Sequence, residues 1–174
     1  KEFAQMQIDS EKNSDSKIEI FNSKSDMKSE YIPANTKNNS VGKKYSNILK
    51  KIFNKNYDFK DYARATNIFW PGNRLGHGRE DVTKFWNTLS NTFTNTRFSI
   101  EHVGFLEENK VNSRASIRWF LEGKHSEKSE EFGEPTNNNV FIFGINHAEF
   151  SEDNVIREWV IFDEVAVWRQ ILKK

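Results

Sequence analysis

The chain has no cysteine. That excludes disulfides, thiolate metal sites and a Cys nucleophile. It leaves the redox compartment open, because a cysteine-free chain can live in either environment. An excess of one charge is missing too. Twenty-six Lys and Arg face 25 Asp and Glu, a formal net charge of +1. No strong field is available to steer a nucleic acid or an anionic membrane, so neither partner is expected. Glycine is scarce and scattered, and neither GxxxxGK[ST] nor GxGxxG occurs, so there is no phosphate loop. The four histidines are dispersed and none forms an i, i+4 pair on a helix, so no metal is expected. Apolar runs fall far short of the roughly 20 residues that cross a bilayer.

The opening residues, KEFAQMQIDSEK, lack the apolar centre of a signal peptide. The chain does not begin with Met, so a leader removed earlier remains compatible with it; the expected location is cytoplasmic. Residues 1–40 are rich in Ser, Asn, Lys, Asp and Glu. Such a segment buries too little apolar surface to offset its ordering entropy and is expected to be a disordered polar tail. Its short run KIEIF reads as a marginal strand without an obvious partner.

A domain is expected over 41–174, long enough for a sizeable core. Tyr45, Ile48, Leu49, Ile52 and Phe53 fall at helical spacing, with Lys50, Lys51 and Lys55 near the C-terminal end of that helix. DFKDYA reads as a short helical piece, and NIFWPGN as a strand stopped by Pro71 and Gly72. Val82, Phe85, Trp86, Leu89 and Phe93 mark a second helix, with Glu80 and Asp81 in its first turn. The period then changes to two. RFSIEHVGF, NSRASIRWFLEGKH, NVFIFGINHAEF and VIREWVIFD read as four strands, followed by a closing helical turn or irregular segment packed by Val167, Trp168 and Ile171. Helices come first and strands last, with no helical crossovers between the strands. This predicts an α+β fold with a meandering antiparallel sheet, curved into a cone around a pocket.

The segments GHGREDVTKFW, RASIRWFLEGKHS, EFGEPTNNNVFIFGINHAEF and VIREWVIFDEVAVWRQI resemble the SnoaL-like polyketide cyclases of the nuclear transport factor 2-like superfamily. The likeness runs over roughly residues 43–172. It implies a cone-shaped fold, cofactor-free chemistry on a hydrophobic carbonyl compound, and homodimers formed through exposed sheet faces. It also implies that Asp163 is the acid/base of an aldol-type ring closure. Isomerases, epoxide hydrolases and non-catalytic ligand-binding or dimerising modules share the scaffold, so fold alone does not select among them. An epoxide hydrolase would need two acids bridged by an Arg, of which Arg118 and Asp163 supply two members.

The residues themselves allow the following roles. Alternation places Asp163 on the face of Trp159 and Ile161. If that face is buried, desolvation would fit the carboxyl for proton transfer. The competing role is an ion pair with Arg157 or Arg169, or an N-cap for the closing helix. His147 shares a face with Phe141, Phe143 and Ile145, and an imidazole there would relay a proton or polarise a carbonyl. Trp159, Trp119, His125, Arg118 and Phe143 are the candidate ligand contacts. His102 and His77 read as structural. A pocket filled by Trp and Phe side chains would favour the non-catalytic module.

Overall fold

The first apolar stripe folds as helix α1 (Ser40–Phe53), burying Tyr45, Ile48, Leu49, Ile52 and Phe53. The computed structural model describes residues 40–107 and 113–173. The polar segment expected over 1–40, KIEIF included, therefore lies outside the described residues except for Ser40. After α1 come β1 (Tyr62–Trp70), β2 (Arg74–His77), α2 (Gly78–Thr92), β3 (Phe93–Glu107), β4 (Ser113–His125), β5 (Asn139–Ser151), β6 (Asn154–Phe162) and α3 (Glu164–Ile171).

Both long helices and all four long strands form where the periodicities put them, except that Phe93, expected on the second helical stripe, is extended and opens β3. Three further details differ. DFKDYA is not helical: Phe59 takes φ +56°, which ends any helix, and its ring packs 5.0 Å from Tyr57 and 6.0 Å from Tyr62. The four-residue β2, too short for a periodic signal, pairs antiparallel with β1 across a turn in which Gly72 and Asn73 both take positive φ. The third correction concerns the sheet, whose order is β2-β1-β6-β5-β4-β3. Neighbours run antiparallel except β1 and β6, which are parallel. The chain leaves β1–β2, crosses through α2 to the far edge at β3, and meanders back until β6 lies beside β1. A parallel pair needs such a long connection. The cone is a curved, unclosed sheet.

Helix α1 packs on β3 and β4, and α2 on β1. Inside, Trp86, Trp119, Tyr45 and Tyr62 are fully buried. Phe53 of α1 sits 4.3 Å from Phe98, 5.6 Å from Trp119 and 5.8 Å from Trp86 between ring centroids. At the other end Trp70 stacks on Phe85 at 5.4 Å. The interior of the cone is thus filled by aromatic side chains. No helix among the described residues is long and apolar enough to cross a membrane.

One glycine is required by this packing. The Trp119 indole of β4 lies over Gly144 of β5, where an added Cβ would overlap the ring. Overfilling a tight core costs about 1–3 kcal/mol. Gly144→Ala is expected to destabilise the fold by the upper part of that range, measured by denaturant unfolding.

Candidate functional site

The pleat divides the sequence candidates between two faces. Strand β4 turns Trp119, Leu121 and His125 inward and Arg118 outward. Strand β5 turns Ile142, Asn146 and Ala148 inward, while Phe141, Phe143 and Ile145 are exposed and His147 half-buried on the outside. Strand β6 buries Glu158, Val160 and Phe162 and leaves Arg157 and Ile161 exposed. Trp159 is only half-buried on that outer side. Asp163 does share the side of Trp159, as alternation required, but that side is not the buried one.

Five candidates therefore meet on the outer face. Trp159 lies between Phe69, stacked at 5.2 Å, and the Arg157 guanidinium at 5.7 Å, with His147 edge-on at 5.4 Å. His147 Nδ1 is 2.9 Å from Ser116 Oγ. The Arg118 guanidinium lies 6.0 Å from the Phe143 ring centroid. Asp163 is exposed and accepts the Ala166 backbone N–H at 2.9 Å, as the N-cap of α3. With Trp159, Phe69 and Ile161 it lines an open cleft of about 440 Å³. The cap has a measurable value. Asp163→Ala should cost about 1 kcal/mol in thermal unfolding, whereas Asp163→Asn, which keeps an accepting oxygen, should stay within a few tenths.

The two inward candidates serve the core. Trp119 donates its indole N–H to Asn146 Oδ1 at 2.7 Å. His125 is fully buried beside Phe93, with Nδ1 3.2 Å from Thr136 Oγ1 and no partner at Nε2. Burial pushes its imidazole below the ordinary range.

The most concentrated polar chemistry in the described residues surrounds an acid not among the candidates. Glu158 is fully buried at the centre of the cone. Its Oε1 accepts from Tyr45 Oη at 2.5 Å and Asn146 Nδ2 at 3.1 Å. Its Oε2 accepts from Tyr62 Oη and Trp86 Nε1, both at 3.0 Å. The donor directions follow from chemistry. The Trp119 indole can only donate, so Asn146 presents its oxygen to Trp119 and its amide hydrogens to Glu158 and to Tyr45 Oη, 3.0 Å away. Tyr45, accepting there, donates to Glu158. Burial raises the Glu158 carboxyl above the usual carboxylate range, and the four donors only partly offset it. Burial beside this acid likewise lifts both tyrosines well above their ordinary range. The signal was present in the sequence: Glu158 has the parity of Val160 and Phe162, and Asn146 that of Ile142, Ala148 and Phe150.

Where the start of β2 meets the start of α3, Arg74 Nη2 bridges two acids, Glu131 at 2.8 Å and Glu164 in close contact. Trp70 Nε1 donates to the same Glu131 oxygen at 3.3 Å. The acid–Arg–acid arrangement is thus built from these residues, while Arg118 stacks on Phe143 and Asp163 caps α3. Burial raises the Glu164 carboxyl, with Arg74 pulling the other way. No group of three or more His, Asp or Glu suited to a metal ion occurs among the described residues.

No family model matches the chain, and no curated protein matches its sequence. Solved structures do match. A Jannaschia sp. CCS1 protein provisionally assigned as a SnoaL-like polyketide cyclase superposes with a TM-score of 0.61 at 14% identity, over 78% of this chain and 96% of that one. IdmH of Streptomyces antibioticus, provisionally a polyketide cyclase, gives 0.60 at 14%, over 75% and 97%. A nuclear transport factor 2-like protein of unknown function from Burkholderia pseudomallei K96243 gives 0.58 at 11%, over 75% and 95%. At these identities the likeness establishes the fold: a cone of the SnoaL-like, nuclear transport factor 2-like type.

Proposed function

We propose that this SnoaL-like cone acts as a self-associating module, pairing with a second copy through the outer face of its sheet. One observation carries the reading: the apolar side chains left uncovered on β5 and β6. Phe141, Phe143, Ile145 and Ile161 are 44%, 52%, 45% and 63% exposed. They are contiguous, because Ile145 pairs with Ile161 and Phe143 lies opposite Phe120, which stacks on Phe141. The strip continues through His147 and Trp159 to Phe69 of β1. Exposed apolar patches of this kind mark interaction sites. At one end a cross-strand row of Arg114, Glu149 and Arg157 closes the strip, with Glu149 accepting from Arg157 at 2.8 Å and lying 3.5 Å from Arg114. That row keeps its charges at one end of the strip and leaves the apolar centre free to meet its own copy about a two-fold axis. Sedimentation velocity of the full chain over a concentration series tests this. A dimer at micromolar concentration is expected; a monomer up to 100 times that concentration would remove the reading.

A second reading, acid/base chemistry on a hydrophobic carbonyl compound, is favoured by the buried, raised Glu158 with its two tyrosines. In that reading Glu158, not the exposed cap Asp163, moves the proton. Its test is deuterium exchange into the acidic C–H of hydrophobic 1,3-dicarbonyl compounds. Exchange lost in Glu158→Gln and kept in Asp163→Asn supports it. Exchange no faster than buffer ends it.

A further inference from the structure

We propose that the Glu158 knot makes α1 a proton-sensitive stopper over the interior of the cone. Five elements converge on this one carboxyl: α1 through Tyr45, β1 through Tyr62, α2 through Trp86, β5 through Asn146, and β6, which carries it. All four partners are neutral. The charged groups nearby act one step away. Arg79 donates to the Tyr62 backbone oxygen at 3.0 Å and 2.5 Å, and Tyr57 beside Tyr62 donates to Asp61 at 2.9 Å. No cation contacts the carboxyl itself among the hydrogen bonds of the knot.

Either protonation state leaves a deficit. As a carboxylate, Glu158 satisfies all four donors but is a fully buried anion whose hydrogen-bond partners are all neutral. As an acid it must donate. Tyr45 already donates to it and accepts from Asn146, so the acid hydrogen goes from Oε2 to Tyr62 Oη, and the Tyr62 hydroxyl then turns away from Glu158. Burial favours the acid. Folding therefore takes up a proton in the window between the ordinary glutamic range and the raised one. The sign follows: the contribution is full at acid pH and is lost as pH rises through the folded-state value.

Helix α1 covers the interior from outside the sheet. It reaches β6 through the Tyr45–Glu158 bond, and its N-terminal half is held by Lys44 to Asp61 at 3.7 Å and to Asp153 at 3.3 Å. Its Leu49 and Phe53 fill the cone beside Trp119 and Trp86. Loosening α1 would uncover the interior and its acid without unpairing any strand.

Hydrogen exchange of α1 amides in the full chain, normalised for intrinsic rates and referred to β4 amides, tests this at pH 5 and pH 8. Wild-type α1 should lose protection relative to β4 on going from pH 5 to pH 8, as linkage requires of an element that shelters an acid held above its ordinary range. Glu158→Gln should abolish the pH dependence. Protection independent of pH, or an equal loss in Glu158→Gln, would overturn the proposal. Should Glu158→Gln fail to fold, carboxyl NMR titration of the wild type decides. A Glu158 midpoint above the ordinary glutamic range supports the stopper, and a midpoint at or below it refutes it.

Discussion

Ile161→Asp is expected to turn a dimer into a monomer. Ile161 is the most exposed apolar residue on β6 and pairs with Ile145 at the centre of the outer strip. In the isolated chain its side chain stands largely in water, so the substitution should change unfolding stability by about 0.5 kcal/mol or less. In a two-fold interface each substitution counts twice, because the same patch serves both copies. Burying two new carboxylates without partners costs at least about 3 kcal/mol, which weakens the dimer more than about 100-fold. A variant with unchanged melting behaviour and a hundredfold weaker association isolates the surface effect. A variant that still dimerises as the wild type does would place the interface elsewhere.

Glu158→Ala should be the most damaging single change in the core. It removes the acceptor of four buried donors at once: two tyrosine hydroxyls, an indole N–H and a side-chain amide. Each orphaned buried group costs about 1–3 kcal/mol, and partial rearrangement lowers the sum to about 4 kcal/mol. For a domain of this size that is roughly 12 °C in melting temperature. Calorimetry of the purified variant gives the value directly. Asp163→Ala, at about 1 kcal/mol, provides the contrast between a knot and a cap. A near-native melting temperature for Glu158→Ala would mean that the knot contributes little to holding the cone.

The contrast between these two acids shows what the sequence made legible. Helical spacing gave α1 and α2, and alternation gave β3 to β6, because those signals depend only on which residues share a side. Alternation also grouped Asp163 with Trp159 and Glu158 with Val160 and Phe162, and both groupings hold. What it could not supply was which side faces in. Strands β5 and β6 carry large apolar residues on both faces, so the usual contrast of wet and dry sides is absent. The tryptophan suggested the buried face, yet Trp159 is the outer one and the inner wall is built by Val160, Phe162 and the knot. The parallel β1–β6 pair was illegible for another reason: its partners are separated by the whole of the chain between them, and β2 is too short to show a period. The role of Asp163 as a cap was readable from its place before the closing helix.

The absence of cysteine offers the most direct test of the outer-face claim. Arg114→Cys, at the rim of the strip, gives a single site for a nitroxide label on the full chain. Two sheets packed face to face lie about 10 Å apart, and a six-strand sheet is roughly 30 Å wide at about 4.8 Å per strand. Dipolar spectroscopy should therefore give one narrow separation below about 40 Å, and Ile161→Asp should abolish it. No dipolar coupling at concentrations where the wild type is expected to be paired, or a separation well beyond 40 Å, would contradict association through this face.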